Sequence, residues 1–406
     1  MTTCKSAGIG GLCQTTGMSS LNLETLRRVA PALARIDVDG RPVQLTVRAR
    51  AGQSHVTLSL HDVPYAAHVD IPTTQPNDAD FVRHTSTGEF HGAVRELAPR
   101  LRDAKGEVVL GTPNRGDLSL TTESGAVATC PAFMDAVAGG ELPDPTPTLV
   151  TDVGLGDLSR VRIDLGGLTA AHIPDADKDM ASHEYIAVGA SQGCLSFQAT
   201  NRWVAVRRRI VTEAPLTATP SVALLPVAVL HVAEALHAAA GAEGDVHLEA
   251  GGGLLVLSGR GYAVSFYSQL HDSYPNLDSI FSASHTNPRF VGSGASLSPA
   301  ERKTVKTSTP EDTDGAYGIP AVIVEDGHAR IAAQGQTLDF ATAALGPTPD
   351  DTIVAPVIGE DLVGALAACR GDALVYIGSK TVCLSAADNT TATHASILIM
   401  VPEKHW

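Results

Sequence analysis

The chain has 406 residues, of which 44% are hydrophobic and only 4% are aromatic, and its formal net charge is -15. This composition is typical of a soluble globular protein with two or three cores built from Ala, Val, Leu and Ile. The acidic charge excludes a protein that coats nucleic acid with its whole surface, although it allows a local basic face.

Cysteine spacing and the N-terminus narrow the class further. The six cysteines are scattered without CxxC spacing, which predicts no zinc site and no disulfide framework, as in a reduced cytoplasmic protein. Residues 1–17 lack the basic and apolar regions of a secretory signal and are interpreted as a loose leader. The longest apolar stretch, 222–240, is interrupted by Pro226, His231 and Glu234, so it predicts a core helix and no membrane span.

The first domain is predicted to begin with an amphipathic helix. Its apolar positions follow helical spacing, with three arginines off that face. The apolar positions are Leu21, Leu23, Leu26, Val29 and Leu33, and the arginines are Arg27, Arg28 and Arg35. Three alternating segments, PVQLTVRARAG, HVTLSLHD and YAAHVDIPT, then predict strands, and a helix near Gly88 with an alternating strand pair follows. A Pro-rich linker at 141–148 marks the boundary.

The second domain repeats this order. A weaker helix containing Arg160 and Arg162 precedes the strands HEYIAVGASQG and CLSFQATNRWVAVRRRIV. A second helix is predicted from Leu225, with Pro226 tolerated in its first turn. The strand pair after it turns at 251–253, and YPNLDSIF closes the domain.

The third domain begins near Ser298, where Ser298 and Glu301 have the spacing of a capping box. The segments AVIVEDG, HARIAAQ and TLDFATAALG predict strands, and a helix near Ile358 leads to the last alternating strands. The helix starts near Gly88, Leu225 and Ile358 are separated by steps of about 135 residues, a domain-sized period. The sequence therefore predicts an α+β protein with a leader at 1–17 and three repeated domains, each helix-strands-helix-strands, at 18–143, 144–285 and 286–406.

Three segments in order carry a resemblance to a known family. They are ATNRWVAVRR at 199–208, YPNLDSIF at 274–281 and ILIMVPEKHW at 397–406. They resemble segments of the bacterial DNA polymerase III beta subunit, the sliding clamp. The likeness covers 18–406 and is that of a divergent member, because Asn201 replaces an acid, one residue is missing before Val204, and Val401 stands where Met is common.

The resemblance implies DNA-clamp domains that form half of a six-domain ring, closed by a head-to-tail homodimer around duplex DNA. Such a protein tethers DNA polymerase for processive replication, and it has no catalytic site, cofactor or metal of its own. The implied partners are double-stranded DNA bound without sequence preference, the DNA polymerase III alpha subunit, the clamp loader and other replication and repair proteins with clamp-binding motifs. The implied location is the cytoplasm, with the nucleoid, and no membrane is involved.

Two groups of site residues follow from this resemblance. Cations on or beside the first helix of each domain are expected to face DNA, with solvated surface charge as the alternative: Arg27, Arg28, Arg160, Arg162, Arg302, Lys303 and Lys306. A pocket for an apolar peptide motif is implied between the second and third domains, with plain core packing as the alternative: Thr200, Arg202, Trp203, Val204, Pro226, Leu230, Ile399, Met400, Val401 and Pro402.

Competing chemistry finds little support in the motifs. The Gly-rich stretches fit neither GxGxxG nor GxxxxGK[ST], and PDADKDM lacks the central Gly and closing Glu of an EF-hand. His231 and His237 are six residues apart and share no helix face. Two alternatives to a processivity clamp stay open: a diverged clamp paralogue that replaces or competes with the principal clamp, for example under inhibitor exposure, and an enzyme or ligand binder on an α+β fold.

Overall fold

The computed structural model describes most of the chain, in segments. The described residues are 18–38, 41–62, 64–97, 106–112, 117–132, 147, 149–154, 185–191, 194–200, 204–211, 219–267, 277–308, 319–343, 349, 351–369, 372–386 and 392–399. None of the helices within these segments is long and apolar enough to cross a membrane.

Six helices occur among the described residues: α1 (Leu23–Leu33), α2 (Thr87–Leu97), α3 (Val227–Ala239), α4 (Leu277–Thr286), α5 (Pro299–Lys306) and α6 (Gly359–Cys369). Capping fixes two of their starts. The side chain of Asn22 accepts a hydrogen bond from the backbone N–H of Glu24 at 2.8 Å, at the beginning of α1. Ser298 and Glu301 form the predicted capping box at the beginning of α5.

The strands of the first part of the chain are β1 (Met18–Asn22), β2 (Asp37–Val38), β3 (Arg41–Pro42), β4 (Gln44–Ala49), β5 (His55–Asp62), β6 (Tyr65–Pro72), β7 (Phe81–Ser86), β8 (Glu107–Gly111), β9 (Asp117–Thr122) and β10 (Val127–Pro131). The middle part contains β11 (Leu149–Val153), β12 (Tyr185–Ser191), β13 (Cys194–Thr200), β14 (Val204–Val211), β15 (Thr219–Pro226), β16 (Val246–Gly251), β17 (Leu254–Gly259) and β18 (Tyr262–Tyr267). The last part contains β19 (Phe290–Ala295), β20 (Ala321–Glu325), β21 (His328–Ala333), β22 (Gln336–Ala343), β23 (Ile353–Pro356), β24 (Ala373–Ile377), β25 (Thr381–Ala386) and β26 (Ala392–Ile399).

One order of elements recurs along the chain: a strand, a helix and three further strands. It begins at β1, β7, β15, β19 and β23, and the segment from β11 to β14 has the same strands around residues 155–184, which lie outside the described part. The short strands β2 and β3 are extra, and α4 falls between two repeats. This order agrees with the predicted α+β fold of repeated helix-and-strand halves.

Two compact units divide the chain, and the first comprises Met1–Leu142, His231–Gly244 and Leu257–Ser265. Within it, the two halves exchange their first strands. β1 pairs with β8 in the sheet β1-β8-β9-β10, while β7 pairs with β4 beside β5 and β6. The strand β5 shows why these segments fold as sheets, because Val56, Leu58 and Leu60 are buried on one face while His55 and Thr57 are half-buried on the other.

The second unit comprises Pro143–Leu230, Asp245–Val256 and Phe266–Trp406. Twelve of its described strands form one sheet, in the order β15-β12-β13-β14-β26-β25-β24-β19-β22-β21-β20-β23. The same exchange of first strands occurs here, since β15 joins β12, β19 joins β24 and β23 joins β20. β14 and β26 pair in the middle of the sheet, from Val204 opposite Leu398 to Ile210 opposite Ala392.

The structure corrects one predicted helix and adds another. Helix α3 begins at Val227, two residues later than predicted, because Pro226 is the last residue of β15 and lies opposite Tyr185. The segment read only as a closing motif contains the start of α4. The predicted helix with Arg160 and Arg162 lies outside the described residues, and the three domain boundaries stay predictions.

The first turn of α6 contains a buried carboxyl group. Asp361 is 3% exposed and its Oδ1 has no hydrogen-bond partner. Burial, assisted by the charge of Glu360, raises the pKa of Asp361 from 3.8 to about 7. The folded state therefore binds more protons than the unfolded state between these two values, and this group makes the free energy of unfolding fall as pH rises from about 4 to about 7.

We expect Asp361→Asn to remove this contribution. The variant should be more stable than the wild type near neutral pH, by about 2 to 4 kcal/mol, and the difference should vanish below about pH 4. Urea unfolding of both proteins across this pH range measures it. Glu360→Gln, which leaves the buried carboxyl in place, is the matched control. Its free energy of unfolding should still fall with rising pH, by most of the amount seen in the wild type. A stability difference that does not change with pH would contradict the prediction.

Candidate partner-binding and DNA-facing sites

The start of β14 is the place where two parts of the large sheet meet. The hydroxyl of Thr200 donates a hydrogen bond to the carbonyl oxygen of Val204 at 2.7 Å, which fixes the end of the β13–β14 connection. Val204 pairs with Leu398, and Ile399 follows at the end of β26, opposite Thr381. Thr200, Val204 and Ile399 are thus brought together, as the pocket prediction requires.

The other predicted pocket residues differ in position. Pro226 lies at the same end of the sheet as Thr200, but β12 and β13 separate its strand from β14, a distance of about 14 Å across the sheet. Leu230 lies in α3 and is fully buried, as is Val204, which matches core packing for these two side chains. Arg202, Trp203, Met400, Val401 and Pro402 lie outside the described residues, and the pocket stays a prediction.

Helix α4 packs against β24 and β25 beside this seam, through a contact that the sequence analysis missed. The guanidinium of Arg207 on β14 lies over the Phe281 ring, with 4.2 Å between its carbon and the ring centroid. Its Nη1 is 3.7 Å from Oδ1 of Asp278, and Gln198 Nε2 donates to the same oxygen at 2.7 Å. One arginine therefore fastens α4 to the sheet.

Burial controls the electrostatics of this contact. The side chain of Arg207 is only 12% exposed. Burial lowers the pKa of Arg207 to about 10, Arg209 acts in the same direction, and Asp278 opposes it. The arginine therefore stays charged at neutral pH. Burial also raises the pKa of Cys383 to about 12, so this thiol is protonated and is no nucleophile at neutral pH.

The last turn of α4 is fastened by a histidine. Nδ1 of His285 is 2.6 Å from the carbonyl oxygen of Phe281, which makes Nδ1 the donor nitrogen. Nε2 faces the Ser385 hydroxyl at 3.5 Å, and the imidazole ring is 4.6 Å from the ring of Tyr376. Contacts at both ends of α4 thus hold it across β14 and β25.

The predicted DNA-facing cations on α5 are exposed. Lys306 Nζ lies 3.5 Å from Glu360 Oε1, and Arg302 Nε donates to the carbonyl oxygen of Leu297 at 2.9 Å. Lys303 is also exposed on this helix. These contacts are weak enough at an exposed surface to be exchanged for phosphate.

The cations on α1 differ in burial. Arg28 is exposed and pairs with Glu24 one turn earlier at 2.5 Å, whereas Arg27 is half-buried. Arg160 and Arg162 lie outside the described residues. The orientation of all these cations toward DNA stays a prediction.

A polar cavity of about 480 Å³ opens where β19 and β22 separate. Its two opposite charges, Arg330 and Asp339, lie 3.5 Å apart and neutralise each other. Within the described segments, no group of three or more His, Cys, Asp or Glu side chains is arranged to hold a metal ion.

The fold matches solved structures of bacterial sliding clamps. A Helicobacter pylori beta clamp bound to a DNA ligase peptide has a TM-score of 0.65 and 12% identity, over 95% of this chain and 100% of that chain. The chain has the sliding-clamp fold. A Pseudomonas aeruginosa DNA polymerase sliding clamp with ligand has a TM-score of 0.67 and 10% identity, over 95% of this chain and 100% of that chain. A sliding clamp (DNA polymerase III subunit beta) from Pseudomonas aeruginosa bound to griselimycin has a TM-score of 0.65 and 10% identity, over 96% of this chain and 100% of that chain.

No protein-family model matches the chain, and no curated protein matches it. The sliding-clamp structures therefore share the fold of this chain but differ from it in sequence at about nine positions in ten. This low identity agrees with the sequence analysis, in which only a few short segments resemble the family. The clamp fold accounts for the repeated halves, since it is built from similar domains.

We expect Arg207→Ala to destabilise the protein by about 2 to 4 kcal/mol, because it leaves Phe281 uncovered and Asp278 without its cation. Urea unfolding at neutral pH measures the change. Arg207→Met, which keeps the covering side chain without the charge, should cost less than half as much. An Arg207→Ala protein as stable as the wild type would show that α4 is held by its apolar side chains alone.

Proposed function

We propose that this chain is a DNA sliding clamp, which closes as a head-to-tail homodimer around duplex DNA and tethers a DNA polymerase for processive synthesis. The observation that carries the proposal is the pattern by which strands pair between successive repeats, together with a sliding-clamp fold over 95% of the chain. In this reading the protein has no catalytic site and works in the cytoplasm, at the nucleoid.

The last strands of the repeats pair with one another, except for two that have no such partner within the described residues. β6, the last strand of one half, pairs with β18, and Asp70 N donates to Gly261 O at 2.7 Å beside this pair. β14 pairs with β26 in the same relation, last strand to last strand. The remaining last strands are β10, at the edge of its sheet, and β22, which meets β19 only at Gly292–Ala343 and Ser293–Thr342.

Pairing of β10 with β22 of a second copy would complete this pattern. Two copies joined in this way form two identical seams, and a contact between different surfaces that closes on itself gives a ring. The cavity beside β22 supports the proposal, because it is lined by Asp339–Thr342 and no described strand pairs with Gln336–Ala341 on that side. An exposed edge of this kind is otherwise a site of uncontrolled association.

The helix cations supply the expected contact with DNA. Arg28, Arg302 and Lys303 are exposed, and phosphate contacts of this type are independent of base sequence. A closed ring holds duplex DNA topologically, so that weak contacts allow it to slide. The net charge of -15 supports this arrangement, since it disfavours DNA binding elsewhere on the surface.

A peptide groove near Thr200, Val204 and Ile399 is the proposed site for partners. The Helicobacter pylori clamp with this fold binds a DNA ligase peptide. For this chain we propose the DNA polymerase III alpha subunit, the clamp loader and other replication and repair proteins as partners. Apolar anchors on such motifs would carry most of the affinity.

Ring closure predicts a dimer of twice the chain mass by light scattering at micromolar concentration. Val127 on β10 is 47% exposed, and Val127→Lys should favour the monomer, because an edge lysine opposes strand pairing. Val150→Lys on β11, where the valine is 49% exposed, is the matched control and should remain dimeric. A wild-type protein that is strictly monomeric would exclude the ring.

Retention on DNA tests the helix cations. A variant with Arg27, Arg28, Arg160 and Arg162 changed to Ala should fold, load onto nicked circular DNA with a loader, and dissociate faster with a shallower salt dependence. The matched control changes four exposed arginines outside the helices, Arg48, Arg50, Arg260 and Arg289, and should behave as the wild type. Equal retention and salt slope for the helix variant and the wild type would refute the assigned DNA face.

A second candidate is a diverged clamp paralogue that replaces or competes with the principal clamp. The identity of 10–12% to solved clamps and the lack of any matching family model favour it. The test adds this protein to a replication assay with the principal clamp and its loader. Support of processive synthesis when the principal clamp is left out shows clamp activity, which both candidates allow if the paralogue replaces that clamp. Inhibition of the principal clamp without such activity supports a competing paralogue.

A further inference from the structure

Three consecutive arginines occur in β14 of a chain whose net charge is -15. Alternation along the strand places Arg207 and Arg209 on the face that meets α4, and Arg208 on the opposite face. Residues two apart on one face of a strand are separated by about 7 Å. The two guanidinium groups are close enough to interact, since the charge of Arg209 contributes to the lowered pKa of Arg207.

The described residues neutralise only one of these two charges. Asp278 Oδ1 lies 3.7 Å from Arg207 Nη1, and it already accepts a hydrogen bond from Gln198. Arg209 makes no ion pair with any described residue, and its Nε is buried without a hydrogen-bond partner. The half-buried guanidinium group of Arg209 thus carries a charge that no described carboxylate balances, and this unbalanced charge favours an added anion.

The neighbouring strand leaves the guanidinium group as the accessible donor. Ser196 lies directly opposite Arg209, but it is only 2% exposed and its Oγ accepts a hydrogen bond from Gln198 Nε2 at 3.2 Å. The guanidinium group of the half-buried Arg209 suits a carboxylate, which can accept two parallel bonds from one arginine.

We propose that Arg209, with Arg207 beside it, binds a carboxylate on an acidic segment of a protein partner. Helix α6 packs on β25 and β26 from the opposite face, and α5 with Arg302 and Lys303 packs on α6. DNA bound along α5 would therefore lie on the other side of this sheet. The inference goes beyond the clamp function, because it requires neither ring closure nor the apolar peptide groove.

The test uses a fluorescent peptide of alternating Glu and Gly, with a Gln–Gly peptide as its uncharged counterpart. Anisotropy at low ionic strength measures binding to the full chain, because exposed charges are screened beyond about 10 Å at 0.1 M salt. The wild type should bind the Glu peptide and not the Gln peptide. The repulsion expected from a protein of net charge -15 makes any such binding evidence for a local basic site.

Four variants locate the site. Arg209→Gln should weaken binding by on the order of tenfold, and Arg209→Lys by less, because the charge is kept while the fork is lost. Arg208→Gln, on the same strand and the opposite face, is the matched control and should bind as the wild type. Asp278→Asn should tighten binding roughly severalfold by removing the competing carboxylate, a gain that misfolding cannot produce. Thermal unfolding of each variant confirms its fold.

Several outcomes would overturn the proposal. They are failure of the wild type to bind the Glu peptide, unchanged binding by Arg209→Gln, and equal binding of the Gln peptide. Binding of a short DNA duplex that is lost in Arg209→Gln would assign the site to phosphate and would overturn it too. Retention on circular DNA should be unchanged in Arg209→Gln, so failure of the clamp function and failure of this inference give different results.

Discussion

The structure depends on one constraint, which is that no half-repeat completes its own sheet. The first strand of each described half pairs in the sheet of the other half, as β1 does with β8 and β19 with β24. Each described half therefore depends on the other half for a complete sheet. The last strands add a second level of pairing, between β14 and β26, which extends the sheet from one repeat into another. This pairing leaves β10 at the edge of its sheet, and the proposed association of copies would use the same backbone hydrogen bonding that forms the fold.

The seam between β14 and β26 is reinforced where backbone pairing alone would leave it open to solvent. Helix α4 covers it, and the charge of Arg207 is balanced by Asp278 and by the face of Phe281. This contact combines packing with an ion pair, so loss of the arginine removes both. A rigid seam matters for the proposed clamp, because a ring can hold DNA only if its joints stay closed.

Periodicity in the sequence predicted the helices and strands well, and the contacts between them less well. Val229, Val232 and Leu236 follow helical spacing and are fully buried, and the alternation in HVTLSLHD matches β5 from end to end. Periodicity could not assign Pro226, because a proline suits both the end of a strand and the first turn of a helix. It also missed Arg207, since contact between β14 and α4 joins residues far apart in sequence. The run VAVRRRIV was the one available signal, because its arginines follow the buried Val204 and Val206 and precede Ile210 in the same strand.

The distribution of charge connects these features to function. The net charge of -15 is an average, and the helices α1 and α5 and the arginine run of β14 are locally basic, with eight of the 29 Lys and Arg residues. Cations on the helices and cations on the α4 face of the sheet lie in different surroundings: Lys306 is paired at an exposed surface, while Arg207 is nearly buried. Exposed charges suit rapid exchange between phosphates, since each contact is weak. Partly buried arginines suit a fixed carboxylate, because their donors are already oriented. The two proposed contacts, a mobile one with DNA and an ordered one with a protein partner, would thus use different parts of one acidic protein.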